Sequence, residues 1–243
     1  MSKTIMYNKG FFERIQTRSR NSAQILVPVV MELMQPASVI DVGCGIGEFV
    51  KVFLERGVDD VLGIDGKYVD RSQLVIPQEH FRGCNLNKPF SINRTYDLAI
   101  SLEVGEHLVP ESAPDFVDSL TRLAPIILFS AAVPLQGGYL HMNEQWPDYW
   151  SHLFKTRGYL PVDALRKRIW HNRQVADYYR QNALFFCTEE ALASNSVLAQ
   201  ESRLTNQSML SIVHPDLYLR KCKTPPLEVM RYMKNASRKM LRR

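Results

Sequence analysis

Val39-Ile40-Asp41-Val42-Gly43-Cys44-Gly45-Ile46-Gly47-Glu48-Phe49 decides the fold. A short apolar run breaks into three glycines at alternate positions, and an amphipathic stretch, Glu48–Arg56, follows. That is a buried strand turning sharply into a helix. Residues without a Cβ let the chain turn tightly and let a ligand approach the backbone closely.

The same rhythm repeats outward from this turn. The pattern predicts strands at Asp60–Asp65, His80–Cys84, Tyr96–Leu102 and Ile126–Ser130, with a helix over Pro114–Leu123. Strand and helix in alternation imply a mostly parallel sheet covered on both faces, a Rossmann-like doubly wound α/β fold. Ahead of it, Phe11–Leu33 reads as helix. Behind it come a helix at Asp148–Thr156, a loop-rich basic segment and a strand at Ala183–Cys187; one strand of the sheet is expected to be antiparallel. The expected organisation is one domain over 1–243: a helical cap (1–35), the core (36–190) and an irregular, basic extension (191–243).

Composition sets bounds. With 243 residues, 45% hydrophobic and 23% charged, the chain has the makings of one substantial core. No segment is apolar for the roughly 18 residues a membrane span needs. Met1–Arg20 lacks the apolar run of a secretory signal, so a cytoplasmic location is expected. Cys44, Cys84, Cys187 and Cys222 form no CxxC pair, and reduced thiols are expected. The formal charge of +5 is concentrated at the end, where Arg220–Arg243 opposes many cations to the single acid Glu228. A solvated tail is the ordinary outcome of such a run, and contact with phosphates is the alternative.

The glycine spacing is GxGxG, not the GxGxxG of dinucleotide proteins, and Asp41 stands just before it. A pyrophosphate wants backbone N–H groups without a nearby anion. A ligand with an ammonium and a sulfonium is suited by that acid, which points to S-adenosylmethionine. Gly43, Cys44 and Gly45 would line its path. Asp65, followed by Gly66, ends the second strand, where a carboxylate can accept from both ribose hydroxyls. Asn85 and Leu86 would flank the adenine, and Leu102 and Glu103 lie at the end of the fourth strand.

Taken together, Asp41–Gly47, Asp65, Asn85-Leu86 and Tyr96–His107 resemble the ordered motifs of class I S-adenosylmethionine-dependent methyltransferases. The resemblance covers roughly the first half of the chain. Asparagine stands at 85 where that family usually carries aspartate; its carbonyl oxygen can still accept a hydrogen bond.

Glu103-Val104-Gly105-Glu106-His107 follows the fourth strand. If a helical turn begins there, Glu103 shares a face with Glu106 and His107. One reading makes His107 a general base that takes a proton from an attacking hydroxyl. Another makes Glu103, Glu106, His107 and His141 ligands of Mg or Mn, which would acidify that hydroxyl. The Glu-x-x-Glu-His order resembles the metal-binding stretch of small-RNA 2′-O-methyltransferases, which complete their site with a further histidine. A third reading is structural: Glu103 shapes the pocket and His107 caps a helix.

Beyond the fifth strand, Gln136–Trp146 combines a glycine turn with His141, Asn143, Gln145 and Trp146, a mixture suited to a hydroxylated acceptor. The run Asn143–Trp150 resembles a segment of small bacterial and viral methyltransferases associated with glycan assembly. The expected activity is O-methylation of a sugar hydroxyl of a glycan. Metal-assisted methylation of an RNA ribose is the first alternative, since basic and aromatic residues interleave between Arg166 and Arg180. A catalytically silent S-adenosylmethionine-binding partner subunit is the second.

Overall fold

Side-chain alternation along the strands builds the core. In the computed structural model, which describes residues 9–222 with side chains from Thr17 onward, β1 (Ser38–Val42), β2 (Asp60–Asp65), β3 (Phe81–Gly83), β4 (Leu98–Leu102), β5 (Ile126–Ser130), β6 (Tyr159–Val162) and β7 (Leu184–Thr188) form one sheet. Leu98, Ile100, Ile126, Leu128 and Phe185 point to one face; Ala99, Ile127, Phe129, Leu184 and Phe186 point to the other. Both faces are buried, so the strands read as continuous apolar runs and not as an alternating pattern.

Two helical layers cover them. Leu26, Val30 and Leu33 of α1 (Lys9–Met34) and Val52 and Phe53 of α2 (Glu48–Glu55) pack on the first face. Phe116 and Leu120 of α3 (Ala113–Thr121), with Trp150 and Phe154 of α4 (Pro147–Lys155), pack on the second. There Phe154 stacks on Phe186 with ring centroids 4.1 Å apart.

The strand order is β3-β2-β1-β4-β5-β7-β6. Strands β1 to β5 are mutually parallel, and β7 runs antiparallel to both β5 and β6. The order reverses between β1 and β4, and a crevice opens beyond the carboxyl ends of strands at such a switch point. Gly43, Asp65, Glu103 and Ala131 all follow or end strands at that edge.

Elements that were not expected lie after residue 157. The basic loop contains β6, whose Pro161 occupies an edge strand, where a missing N–H is tolerated. It also contains α5 (Arg166–Ile169) and α6 (Asp177–Asn182). Residues expected to be irregular form α7 (Glu189–Ser194) and α8 (Ser196–Leu204), capped by the Thr188 hydroxyl and the Asn195 side-chain carbonyl. The chain divides into two compact units, Met1–Ile212 and Val213–Arg243. The second contains α9 (Pro215–Cys222), with Arg220 and Lys221 in its last turn. The rest of the basic tail, 223–243, lies outside the described residues. Among the described residues, no helix is long and apolar enough to cross a membrane.

Candidate active site

The glycine turn forms as its spacing demands. Gly43 adopts φ +88°, and a Cβ there would stand 2.2 Å from Val104 Cγ2. Backbone strain and the clash act together, so Gly43→Ala should lower stability by about 1–3 kcal/mol, read as a fall in the urea midpoint at unchanged slope.

Two carboxyl groups face this turn. Asp65 is buried at the end of β2; its Oδ2 accepts from Gly45 N–H at 2.7 Å, and its Oδ1 from Gly66 N–H at 2.5 Å and the Tyr68 hydroxyl at 2.7 Å. Asp41 is buried too. Burial pushes its carboxyl well above the usual range, and the neighbouring Asp65 charge adds to the rise. A cation placed beside Asp41 would relieve both effects. Cys44 packs its sulfur toward Gly63, and burial raises its thiol out of the reactive range. Of the two residues expected to flank the adenine, Leu86 is buried, while exposed Asn85 turns its carbonyl oxygen to the Asn87 N–H at 3.1 Å.

Glu103 departs from expectation. It adopts φ +57°, a left-handed conformation that ends β4, and only Gly105–His107 form a single helical turn. Its carboxylate accepts from Gln136 Nε2 at 2.9 Å and Asn182 Nδ2 at 3.1 Å. Asn182 also donates to Gln136 and accepts from Gln181, so a buried amide network holds the group. Among the described residues the potential metal-binding cluster is Glu106, His107 and His141, whose ligand atoms lie within 4.8 Å of one another, and Glu103 is not part of it. The left-handed turn sends its carboxylate to the amides instead.

Within that cluster Glu106 is almost wholly buried. Burial and the Glu103 charge raise its carboxyl well above the ordinary range, and its Oε2 has no hydrogen-bond partner. The rings of His107 and His141 meet edge to face with centroids 4.8 Å apart. Partial burial and the His141 ring lower the His107 imidazole below its usual range, which favours the neutral form.

The loop after β5 is sewn to this cluster. The Glu106 carbonyl accepts from Met142 N–H at 2.7 Å and Asn143 N–H at 3.0 Å. Asn143 is consequently buried, and its side-chain oxygen accepts from Gln145. Gln145 and Trp146 instead line an open cavity of about 480 Å³ with Asp148, Tyr149 and Ser211. Leu135, Tyr139, Leu140 and Met142 are exposed on the same loop.

Four of the cations in residues 166–180 are taken up by partners within the protein. Arg166 is buried, held by Asp163 and by the carbonyls of Gln181 and Leu210. Lys167 and Arg168 pair with Glu201, and Arg180 is buried with its guanidinium on the Trp170 carbonyl. One participant had escaped sequence reasoning: Glu144, which contacts His141. Its only signal was an acid three residues beyond a histidine in a glycine loop.

A glycine turn after β1, an acid ending β2 and an antiparallel β7 inserted beside β5 together define a class I, Rossmann-like methyltransferase. The chain matches the family described as methyltransferase domain over residues 15–181 and belongs to it; it is an S-adenosylmethionine-dependent methyltransferase. Comparison with curated protein sequences returns no match. Among solved structures, the fold is similar to the sugar N-methyltransferase KedS8 from a Streptoalloteichus species (TM-score 0.57, 13% identity, 77% of this chain and 98% of that one). It is also similar to DesVI of Streptomyces venezuelae (TM-score 0.51, 12% identity, 73% and 95%). A third similar structure is the plantazolicin methyltransferase BpumL in complex with SAH (TM-score 0.51, 12% identity, 74% and 88%).

Proposed function

We propose that this enzyme transfers a methyl group to a sugar hydroxyl of a glycan. The reading is carried by the His107 and His141 rings, which meet edge to face past the carboxyl ends of the strands; the loop that bears His141 runs on into Gln145 and Trp146, which with Tyr149 rim an open cavity. Aromatic faces suit sugar rings, and the amide suits hydroxyls. That KedS8 is described as a sugar N-methyltransferase accords with a sugar-sized acceptor.

The residues at the glycine turn fit S-adenosylmethionine. Asp41 would face its cationic end, Gly43, Cys44 and Gly45 would pass along it, and Asp65 with Gly66 would take the ribose. Asn85, Leu86 and Leu102 would enclose the adenosine, with Glu103 held at the pocket wall by its amides. When bound, the cofactor supplies a methyl group already activated on a sulfonium, so most of the work left to the protein is placement. His107, held neutral, would receive the acceptor's hydroxyl proton at the imidazole nitrogen left without one. His141 and Glu106 confine that group.

A second reading is favoured by one observation, the unpartnered Oε2 of Glu106 close to two imidazoles. These three residues fit Mg or Mn, which would lower the pKa of the acceptor hydroxyl. An RNA ribose remains the alternative acceptor for that chemistry, but the buried Arg166 and Arg180 withdraw part of the basic surface expected to bind a strand. A silent cofactor-binding subunit is the remaining alternative.

Methyl-labelled S-adenosylmethionine offered with oligosaccharides and nucleotide sugars, with manganese or with chelator, tests the reading. The expected product is a sugar methyl ether. Label found only in RNA, only on an amine, or nowhere despite cofactor binding would overturn it.

A further inference from the structure

Glu144 has no part in the function proposed above, yet its carboxylate makes three directed bonds within the loop after β5. Its Oε2 accepts from Leu135 N–H at 2.8 Å. Its Oε1 accepts from Gly137 N–H at 2.6 Å and stands 2.8 Å from His141 Nδ1. One carboxylate thus ties two backbone amides of a tight turn to an imidazole six residues or less away.

The surrounding backbone is held in costly conformations. Leu135 and Leu140 both adopt left-handed φ values, +68° and +57°, without being glycine. Such conformations persist only where other contacts over-determine them, and the Glu144 bonds are contacts of that kind. Gly138 is part of the same fit: a Cβ there would stand 2.1 Å from His141 Nε2. The ring is therefore fixed on one edge by a carboxylate and on its face by a residue with no side chain.

We infer that Glu144 is the positioning residue of the site, fixing His141 in the tautomer that carries its proton on Nδ1. A carboxylate that already accepts two amide protons is a pure acceptor, so the hydrogen between it and His141 must come from the ring. The Nε2 lone pair is then the nitrogen left to share with Glu106 and His107. A partner of this type fixes ring orientation and raises basicity, whether the imidazole serves a proton or a metal ion. The role proposed for Glu144 rests on the reading of His141 as part of the active site.

The test is nitrogen NMR of ¹⁵N-histidine-labelled full-length protein at about pH 8.5, above the ordinary imidazole range, with His141→Asn to assign the signal. The wild-type ring is expected to show a protonated Nδ1 and a bare Nε2. Glu144→Gln keeps the size but offers one acceptor oxygen for three donors, and should return His141 to mixed tautomers. Glu144→Asp keeps the charge and should restore the wild-type tautomer at least in part. Manganese affinity or turnover should fall about 10–100-fold in Glu144→Gln, with S-adenosylhomocysteine affinity unchanged.

A wild-type His141 protonated on Nε2 would overturn the inference without recourse to any variant, as would a Glu144→Gln spectrum identical to wild type. Loss of the role proposed for His141 is a separate result: His141→Ala would then leave methyl transfer intact while the wild-type tautomer still showed Nδ1–H.

Discussion

Asp65→Ala should abolish measurable binding of S-adenosylmethionine and S-adenosylhomocysteine by calorimetry. In this structure the Asp65 carboxylate holds three donors, the Gly45 and Gly66 amides and the Tyr68 hydroxyl. Hydrogen bonds to a charged group contribute about 1.5–3 kcal/mol each. Alanine removes the acceptor proposed for the ribose and also releases the Gly45 amide that shapes the turn. A loss of at least about 100-fold, equivalent to roughly 2.7 kcal/mol, is expected. Tyr68→Phe leaves the carboxylate in place and should bind within about threefold of wild type. Retained binding in Asp65→Ala would move the cofactor away from the end of β2. A melting transition measured beside the titration separates loss of a contact from loss of the fold.

The second large effect is expected at His107. Replacement by alanine removes the group proposed to accept the hydroxyl proton, and general-base contributions amount to about 10²–10⁴ in rate. Turnover should fall within that range while affinity for S-adenosylhomocysteine stays unchanged, because the role proposed for His107 is toward the acceptor and not the cofactor. A fall in cofactor affinity with unchanged turnover would reverse that assignment. His107→Gln is the informative companion, since it keeps a polar side chain but cannot take the proton.

The half of the site nearest the glycine turn was legible in the sequence because it is local. Val39–Val42 and Ile126–Ser130 are buried on both faces, and such strands announce themselves as apolar runs ending in turn residues. Asp41 and Asp65 then fall at strand ends by counting alone. The acceptor half depends on chain reversals that leave little trace. Glu103 was expected to continue into a helical turn with Glu106; its left-handed backbone, answered by amides from residues 136 and 182, cannot be read from five consecutive residues.

Burial of polar side chains was the other blind spot. Asn143 was expected to face the acceptor beside Gln145 and Trp146, but the Glu106 carbonyl draws its amide inward and the side chain follows. Arg166 opens the interleaved basic and aromatic run that would suit a nucleic-acid strand, although Asp163, three residues before it, offered a partner with which it could be buried. Strand β6 passed unnoticed because it has four residues, one of them proline. Each miss involves a partner distant in sequence or an element too short to show a period.

The loop carrying His141 has a property that matters for altering the enzyme. The Gln145 amide donates to the Ala132 carbonyl at 3.2 Å, so the segment leaves the sheet edge and returns to nearly the same point. Its interior is closed by Glu144, and its exposed residues, Leu135, Tyr139, Leu140 and Met142, all lie between those ends. A segment with adjoining ends and its own internal clasp is a natural unit of exchange: transplanting 133–144 from a related enzyme would replace His141 and the exposed apolar side chains around it as one cassette, while leaving β1, β2 and the glycine turn as the receiving chassis.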